Sequence, residues 1–155
     1  MKDNFESALR FALDVHSNQL DSGWTPYIQH VMGVWSRLRF ENMTTQIAAL
    51  LHDTVEDTSV TLDQIHYEFG EDVAEIIRIL THTKGVPYKA YIEAIALSGN
   101  RSAILIKIAD LDDNSSEIRL QRLPAGKEEY FRKRAQDKYG PARNRLAVAF
   151  AGLKY

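Results

Sequence analysis

Two adjacent pairs of ionisable residues follow an apolar segment in the first half of the chain. His52 and Asp53 come directly after the apolar residues 47–51, and Glu56 and Asp57 come three residues later. Burying ionisable groups beside an apolar helix is costly unless a metal ion or an opposite charge compensates them. Imidazole and carboxylate together suit a divalent cation, so this segment is a candidate metal site.

Two further residues have comparable surroundings elsewhere in the chain. His30 lies among apolar residues of a predicted helix, and Asp110 ends the apolar segment 104–109. Taken alone, a histidine on an apolar helix face is more often a core residue than a ligand, and a lone aspartate there can cap a helix or pair with a lysine. Taken together with His52 and Asp53, they predict that one cation compensates all four buried groups.

The predicted ligand set indicates which metal and which reaction to expect. Two histidines and two aspartates leave positions for water on a six-coordinate ion, which favours Mn²⁺ over a closed tetrahedral zinc site, although zinc has the higher intrinsic affinity. Such an ion suits hydrolysis of a phosphate ester or anhydride, because it polarises a phosphoryl oxygen and lowers the pKa of bound water. Glu56 or Asp57 would orient or deprotonate that water. The alternative for this pair is a solvated acidic turn.

The other histidines and the cations are weaker candidates for the site. His16 has no assigned role, and His66 is expected at the surface. His82 either contacts and orients a metal ligand or caps a helix C-terminus. Lys107 is nominated to meet substrate phosphates because it lies three residues before Asp110. Most of the other basic residues are expected to be solvated: Arg37, Arg39, Lys84, Lys89 and Arg119. The mixed-charge segment 122–145 is expected to be an exposed face.

Composition limits the class of protein. The chain of 155 residues fits one domain, predicted as residues 1–155, and 45% hydrophobic residues suffice for a buried core. A net charge of −2 argues against nucleic-acid binding through bulk charge, and the absence of cysteine excludes disulfides and thiolate metal sites. No segment approaches the ~18 apolar residues of a membrane span, and residues 1–6 do not form a signal peptide. We expect a cytoplasmic protein without a membrane partner; the sequence assigns no oligomeric state.

Helical spacing dominates the chain and predicts an all-α protein of about eight helices. An amphipathic pattern predicts the first helix over residues 3–17. Thr25 and Pro26 predict the start of the helix that carries His30, with Thr25 as its N-cap, and Thr44 or Thr45 is expected to open the next.

Capping residues, glycines and prolines indicate helix ends between residues 61 and 141. Thr61 and Gln64 form a capping-box pattern, and the short helix that they begin ends at Gly70. Residues 102–111 are rich in β-branched side chains, but their helical neighbours favour a helix. A polar helix is predicted over residues 124–139, after which Gly140 and Pro141 break or kink it.

In these segments the sequence resembles the HD-domain metal-dependent phosphohydrolases. More closely, it resembles the hydrolase domain of RelA/SpoT-type proteins and the small stand-alone alarmone hydrolases. The resemblance covers roughly residues 5–120, and the central segment around His52 is its most specific part. The residues that carry it are 25–30, 48–58, 69–70, 106–110 and Asn114.

The resemblance implies an HD-domain helical fold and a reaction. It implies a Mn²⁺ ion held by His30, His52, Asp53 and Asp110. It also implies that Glu56 and Asp57 act on the nucleophilic water and that Asn114 contacts the substrate. The reaction of the family is removal of the 3′-pyrophosphate from guanosine penta- or tetraphosphate, so the expected partner is a small phosphorylated nucleotide.

Two positions depart from the family pattern. Asp21 stands where the family usually has a basic residue that helps to hold the nucleotide, and Asp112 and Asp113 stand where the family has a more basic segment. We therefore expect weaker affinity for guanosine tetraphosphate than is usual in the family, or a less charged substrate. Two alternatives stay open: a nucleoside monophosphatase or phosphodiesterase of the wider HD group, and a metal-stabilised domain that binds a nucleotide without turnover.

Overall fold

The computed structural model describes residues 5–153, which form helices joined by short turns. In this range the only β-type pairing is one isolated bridge between Leu20 and Pro26, so the predicted all-α class is confirmed. Residues 3 and 4 of the predicted first helix lie outside the described residues. The helices are α1 (Phe5–Val15), α2 (Ile28–Arg37), α3 (Met43–Leu51), α4 (Thr54–Asp57), α5 (Leu62–Phe69), α6 (Glu71–Leu80), α7 (Tyr88–Leu97), α8 (Arg101–Asn114), α9 (Glu117–Leu120), α10 (Glu128–Arg134), a π-helical turn (Ala135–Tyr139) and α11 (Gly140–Ala151).

Helix α3 lies at the centre of the core because it is apolar on almost every side. Residues 47–51 are at most 1% exposed, as predicted for the helix that precedes His52. Helices α1, α2, α6 and α8 all pack against α3. Full burial of a leucine or isoleucine side chain stabilises the fold by about 1.5–3 kcal/mol. This burial fixes the C-terminal end of α3, and therefore the next two residues, deep in the protein.

Helix α8 packs against α2, α3, α6 and α11 and carries the second half of the candidate site. Its β-branched residues form a helix, as predicted from their helical neighbours. The side chain of Asn100 caps the first turn by accepting a hydrogen bond from the backbone N–H of Ala103 at 2.9 Å. Ile104 and Ile106 are completely buried, and the same helix places Asp110 in the interior.

The predicted start of α2 is wrong. The helix begins at Ile28, so Thr25 is not its N-cap and Pro26 is not its first residue. The cause lies in the preceding loop, where Asp21 Oδ1 accepts hydrogen bonds from the backbone N–H groups of Gly23 (2.8 Å) and Thr25 (3.0 Å). Together with the β-bridge, these bonds hold the loop as far as Pro26, and the helix starts only after it.

Capping explains the ends of the next helices. The predicted start of α3 at Thr44 or Thr45 is wrong, because Asn42 is the N-cap and its side chain accepts from the Thr45 N–H at 2.9 Å. The capping box of Thr61 and Gln64 is present at the start of α5. That helix ends at Gly70 as predicted, where φ of 89° favours glycine.

The C-terminal helical segment begins later than predicted and changes its winding. Residues 124–127 form a turn, in which Lys127 N–H donates to the Pro124 carbonyl at 3.0 Å, and α10 starts only at Glu128. The expected break or kink takes the form of the π-helical turn directly before Gly140, with Pro141 opening α11. Because proline lacks an N–H, it cannot complete the regular α-helical pattern there.

Nothing among the helices of residues 5–153 has the length and apolar character that crossing a membrane requires.

Candidate metal centre and active site

Four side chains from three parts of the fold converge at the C-terminal end of α3. Helix α2 supplies His30, the junction of α3 and α4 supplies His52 and Asp53, and α8 supplies Asp110. His52 Nε2 lies 2.9 Å from Asp53 Oδ2, and His30 Nε2 lies 3.2 Å from Asp110 Oδ1 and 3.7 Å from Asp53 Oδ2. The structure therefore brings together all four residues that were predicted as metal ligands.

The donor atoms of this cluster fit a metal ion. One ligand atom from each of His30, His52 and Asp53 lies within 4.8 Å of the others. His52 Nδ1 donates to the carbonyl of Ala49 at 2.9 Å, which directs Nε2 towards the centre of the cluster. Nε2 is buried, and its approach to Asp53 Oδ2 at 2.9 Å lacks hydrogen-bond geometry, so it has no hydrogen-bond partner among residues 5–153. Coordination of a cation would remove the cost of this unpartnered nitrogen.

The electrostatics of the cluster favour positive charge at its centre. Burial by itself lowers the pKa of His30, but hydrogen bonds with Asp110, Asp113 and Asp53 outweigh it and raise the pKa to about 10. Burial would raise the pKa of Asp53 and Asp110, but neighbouring cationic side chains hold both below the usual aspartate range. Both carboxylates therefore stay ionised, as metal ligands must be.

Asp113 supports His30 and is a site residue that the sequence analysis missed. Its Oδ2 accepts a hydrogen bond from His30 Nδ1 at 2.7 Å. Arg37 (2.8 Å) and Arg119 (3.1 Å), both expected to be solvated, form ion pairs with this carboxylate instead. A carboxylate on the second nitrogen of a metal-binding histidine fixes the tautomer and the ring orientation. The spacing along the helix could have indicated Asp113 as a site residue, because it lies one helical turn after Asp110.

Tyr27 was also missed and holds a second predicted ligand. Its hydroxyl donates to Asp53 Oδ2 at 2.5 Å, and burial together with the charge of Asp53 raises the pKa of this hydroxyl far above its usual value. The phenol therefore stays protonated and fixes the carboxylate at the edge of the cluster. Nothing in the sequence near Tyr27 indicated this contact, which joins the residue before α2 to the residues after α3.

Gly33 provides the space that Asp113 occupies, and replacing it should weaken metal binding. A Cβ atom at residue 33 would lie 2.3 Å from Asp113 Oδ1, so Gly33→Ala must displace the carboxylate that orients His30. We expect Mn²⁺ affinity to fall by about 10- to 100-fold, as measured by isothermal titration calorimetry. Gly140→Ala is the control, since its added Cβ meets no atom closer than 3.5 Å. Equal Mn²⁺ affinity in both variants would contradict the supporting role of Asp113.

Glu56 lies on the single-turn helix α4 and faces the same cleft as the metal cluster. Its Oε2 accepts a hydrogen bond from the backbone N–H of His82 at 3.0 Å. Burial is the main cause that raises the pKa of Glu56; the His82 bond opposes it and the charge of Asp53 reinforces it. A carboxylate with a raised pKa at the cleft is a better proton acceptor than an ordinary glutamate.

Asp57 is held at the cleft by a chain of hydrogen bonds from the turn that follows α1. Gln19 Nε2 donates to Asp57 Oδ2 at 3.0 Å, and the buried His16 Nδ1 donates to Gln19 Oε1 at 2.7 Å. His16 therefore supports Asp57 through Gln19 and is not part of the histidine–aspartate cluster. His82 joins the cleft through its backbone, while its ring stacks on Tyr91.

Two adjacent chambers form the cleft. The metal-side chamber has a volume of about 340 Å³ and is lined by Asp53, Glu56, Asp57, Lys107 and Asp110, among others. The outer chamber has a volume of about 400 Å³ and is lined by aromatic and basic side chains. The side chains that line both chambers are Tyr27, Asn114, Arg134 and Tyr139.

Both residues predicted to bind substrate contact Asp110 at the floor of the metal-side chamber. Lys107 Nζ donates to Asp110 Oδ2 at 2.7 Å, and Asn114 Nδ2 donates to Asp110 Oδ1 at 2.6 Å. The charge of Asp110 is one reason that the pKa of Lys107 is raised in spite of burial. These contacts place a cation and an amide beside the candidate metal centre, while their substrate roles stay predictions.

Asp21, the departure in the loop before α2, lines the outer chamber with its charge already compensated. Oδ1 caps the loop as described above, and Oδ2 accepts a hydrogen bond from Arg119 at 3.2 Å. At this position the family usually has a basic residue; here a cation, Arg119 of α9, lies beside Asp21 instead. The expected weak affinity for a multiply phosphorylated guanosine stays a prediction.

An all-helical fold with two histidines and two aspartates at its centre defines the class of helical proteins with a histidine–aspartate metal site. The family model described as the HD domain matches residues 8–147, and the chain belongs to that family.

Several relatives carry the name guanosine-3′,5′-bis(diphosphate) 3′-pyrophosphohydrolase. The Drosophila melanogaster protein MESH1 is 34% identical over 142 residues, which cover 82% of this chain and 78% of the relative. MESH1 of Xenopus tropicalis is 39% identical over 66% of this chain and 63% of the relative. The Aquifex aeolicus protein is 33% identical over 94% of this chain. The chain spans only 22% of the Aquifex protein and less than two thirds of the Xenopus protein.

Solved structures show the same relationship. A structure described as a metazoan ortholog of SpoT that hydrolyses ppGpp superposes with a TM-score of 0.69 at 29% identity, covering 97% of this chain and 96% of that chain. A Listeria monocytogenes protein shares the fold with a TM-score of 0.56 at 21% identity, over 81% of this chain and 96% of that chain. The predicted HD-domain fold and the resemblance to alarmone hydrolases are confirmed.

Proposed function

We propose that this chain is a metal-dependent phosphohydrolase that removes the 3′-pyrophosphate from guanosine 3′,5′-bis(diphosphate). The observation that carries the proposal is the shared chamber, which the Glu56 carboxylate with its raised pKa lines together with Asp53 and Asp110 of the cluster. The names of the relatives support this substrate. The single domain of residues 1–155 and the cytoplasmic location stay predictions.

The candidate ligands favour one metal. His30 and His52 would supply two nitrogen atoms, and Asp53 and Asp110 would supply two oxygen atoms. Mixed imidazole and carboxylate donors without thiolate favour Mn²⁺, and we propose it as the ion. When bound, the ion would polarise a phosphoryl oxygen and lower the pKa of a water molecule.

The residues around the cluster would carry the remaining steps. Glu56 accepts a proton from the attacking water, and Asp57 orients that water. The water oxygen bonds to the phosphorus next to the ribose, the bond between that phosphorus and O3′ breaks, and O3′ leaves with a proton. One water and one substrate therefore give GDP and pyrophosphate. Lys107 and Asn114, both held by Asp110, would contact the substrate phosphates.

A nucleotide panel with and without Mn²⁺ tests the proposal against its alternatives. We expect Mn²⁺-dependent release of pyrophosphate from guanosine 3′,5′-bis(diphosphate), and a chelator should abolish it. Release of orthophosphate from nucleoside monophosphates, or opening of cyclic nucleotides, would instead favour the wider HD group. Tight nucleotide binding with no product from any nucleotide would indicate a binding domain.

The charge of Asp21 gives a prediction about affinity for this substrate. Asp21→Arg would remove the loop contacts as well as the charge, so Asp21→Asn is the better variant because its Oδ1 can still accept from Gly23 and Thr25. Loss of the carboxylate charge should lower KM by about 2- to 10-fold at low salt, and by less at high salt because of screening. The exposed Asp63→Asn is the control. A KM that Asp21→Asn leaves unchanged at both salt concentrations would show that Asp21 does not oppose the substrate.

A further inference from the structure

The C-terminal helical segment directs two cations into the metal-side chamber. Arg134 ends α10 and Lys138 lies in the π-helical turn, and both line this chamber together with Lys107. The expectation that residues 122–145 form an exposed face is wrong at these two positions, since both side chains are only partly exposed. In contrast, the neighbouring Lys133 is exposed and does not line either chamber.

Arg134 and Lys138 differ in their partners from three arginines of the same segment. Arg134 donates to the hydroxyls of Tyr139 at 2.8 Å and Tyr130 at 3.2 Å, and Lys138 Nζ lies 4.0 Å from the ring centroid of Tyr88. No ion pair joins either of them to a carboxylate in the part of the chain that the structure describes. Those three arginines form such ion pairs on the surface: Arg132 with Glu117, Arg143 with Asp112, and Arg145 with Glu93.

The three cations of the chamber repel one another. Burial first, and then the positive charges of Arg134 and Lys107, lower the pKa of Lys138. Lys107 has Asp110 as its partner, but within residues 5–153 the partners of Lys138 and Arg134 are aromatic rings and hydroxyls only. Holding unpaired cations together in a partly buried chamber is unfavourable unless an anion occupies it.

The carboxylates of the chamber and its two unpaired cations, Arg134 and Lys138, come from different parts of the chain. Acidic residues surround the candidate metal position: Asp53, Glu56, Asp57 and Asp110. The cations come from α8, α10 and the π-helical turn. A phosphoryl group at the metal would face mostly acidic side chains. A second phosphate attached to it would reach unpaired cations only on the side of the C-terminal segment.

We propose that Lys138 and Arg134, with Lys107, bind the terminal phosphate of the pyrophosphoryl group. This inference rests on the proposed function and adds a basis for selecting a pyrophosphoryl over a single phosphoryl group. The π-helical turn contributes because it carries Lys138 and Tyr139, and the Tyr139 hydroxyl holds Arg134 at the chamber wall. An interruption of this kind is frequent at functional sites.

Binding of the inorganic product tests the inference without turnover. Isothermal titration calorimetry of the Mn²⁺-loaded protein would compare pyrophosphate with orthophosphate. We expect the wild type to bind pyrophosphate at least about 10-fold more tightly than orthophosphate, since hydrogen bonds to charged groups are among the stronger ones. Lys138→Gln should reduce the affinity for pyrophosphate by about 10-fold and change that for orthophosphate little. Lys133→Gln removes the same charge from the exposed face of the segment and should change neither.

A second variant keeps the test decisive if Lys138→Gln does not fold. Arg134→Gln should show the same selective loss, Arg134→Lys should restore part of it, and circular dichroism melting reports folding of each variant. A wild type that binds both anions equally, or an equal loss in Lys133→Gln, would overturn the inference. If selective pyrophosphate binding persists but no nucleotide is hydrolysed, the proposed function fails and the phosphate site stands. If the nucleotide is hydrolysed but these variants leave the affinity for pyrophosphate unchanged, the proposed function stands and the phosphate site fails.

Discussion

Replacing Glu56 with glutamine should slow turnover by about 10²- to 10⁴-fold while Mn²⁺ stays bound. The amide keeps the shape of the side chain, and its oxygen can still accept the hydrogen bond from the His82 N–H. It removes a carboxylate of the chamber whose pKa is raised. Steady-state kcat and the metal content by elemental analysis would check both parts.

The pH dependence gives this variant a specific signature. The pKa of Glu56 is raised above the ordinary glutamate value of 4.5, so Glu56 takes up its proton at a higher pH than an exposed glutamate does. As the pH falls through that value, the base is lost and kcat should fall, and this acidic limb should be absent in Glu56→Gln. Glu68→Gln, an exposed position on α5, is the control. Wild-type turnover in Glu56→Gln would assign Glu56 to an acidic turn without a catalytic role.

Replacing Asp110 with alanine should remove the metal ion and lower the melting temperature. Asp110 is a predicted ligand and also the acceptor for Lys107 and Asn114. Its loss leaves the ammonium group of Lys107 largely buried without its partner, and breaking a buried ion pair in this way costs about 3–5 kcal/mol. Loss of metal binding adds to this, because the free energy of binding stabilises the folded state.

Two further variants separate the causes. Asp110→Asn should also lose the metal ion but melt at a higher temperature than the alanine variant, because its carbonyl can still accept hydrogen bonds. Asp112→Ala is the control on the same helix; it breaks only the exposed pair with Arg143, which contributes about 0–1 kcal/mol. Metal content equal to the wild type in Asp110→Ala would remove Asp110 from the ligand set.

Local patterns in the sequence predicted the parts of the site that depend on neighbours along the chain. The apolar residues before His52 form the buried helix, and the capping box at Thr61 forms as predicted. The position of Lys107 three residues before Asp110 indicated that the two lie close together, and they form an ion pair. Each of these features is set by side chains within one or two helical turns, so the sequence pattern is sufficient to predict it.

Contacts between distant residues account for what the sequence did not reveal. Asp113 and His30 are 83 positions apart, and Asp21 and Arg119 are 98 positions apart. The sequence around one residue of each pair therefore does not indicate its partner. Asp21 also delays the start of α2 through its loop contacts. Lys138 faces the chamber through a π-helical turn, and helical spacing calculated for a regular α-helix does not describe such a turn.

Hydrolysis of guanosine 3′,5′-bis(diphosphate) in ¹⁸O-labelled water tests the proposed reaction most directly. The Mn²⁺-loaded protein and a chelator-treated sample would be compared, with products resolved by chromatography and mass spectrometry. A metal-dependent 3′-pyrophosphohydrolase that activates water at the phosphorus should give equal amounts of GDP and pyrophosphate, with one solvent oxygen in the pyrophosphate and none in the GDP. Orthophosphate as the first product, label in the GDP, equal rates after chelation, or no product would contradict the proposed function.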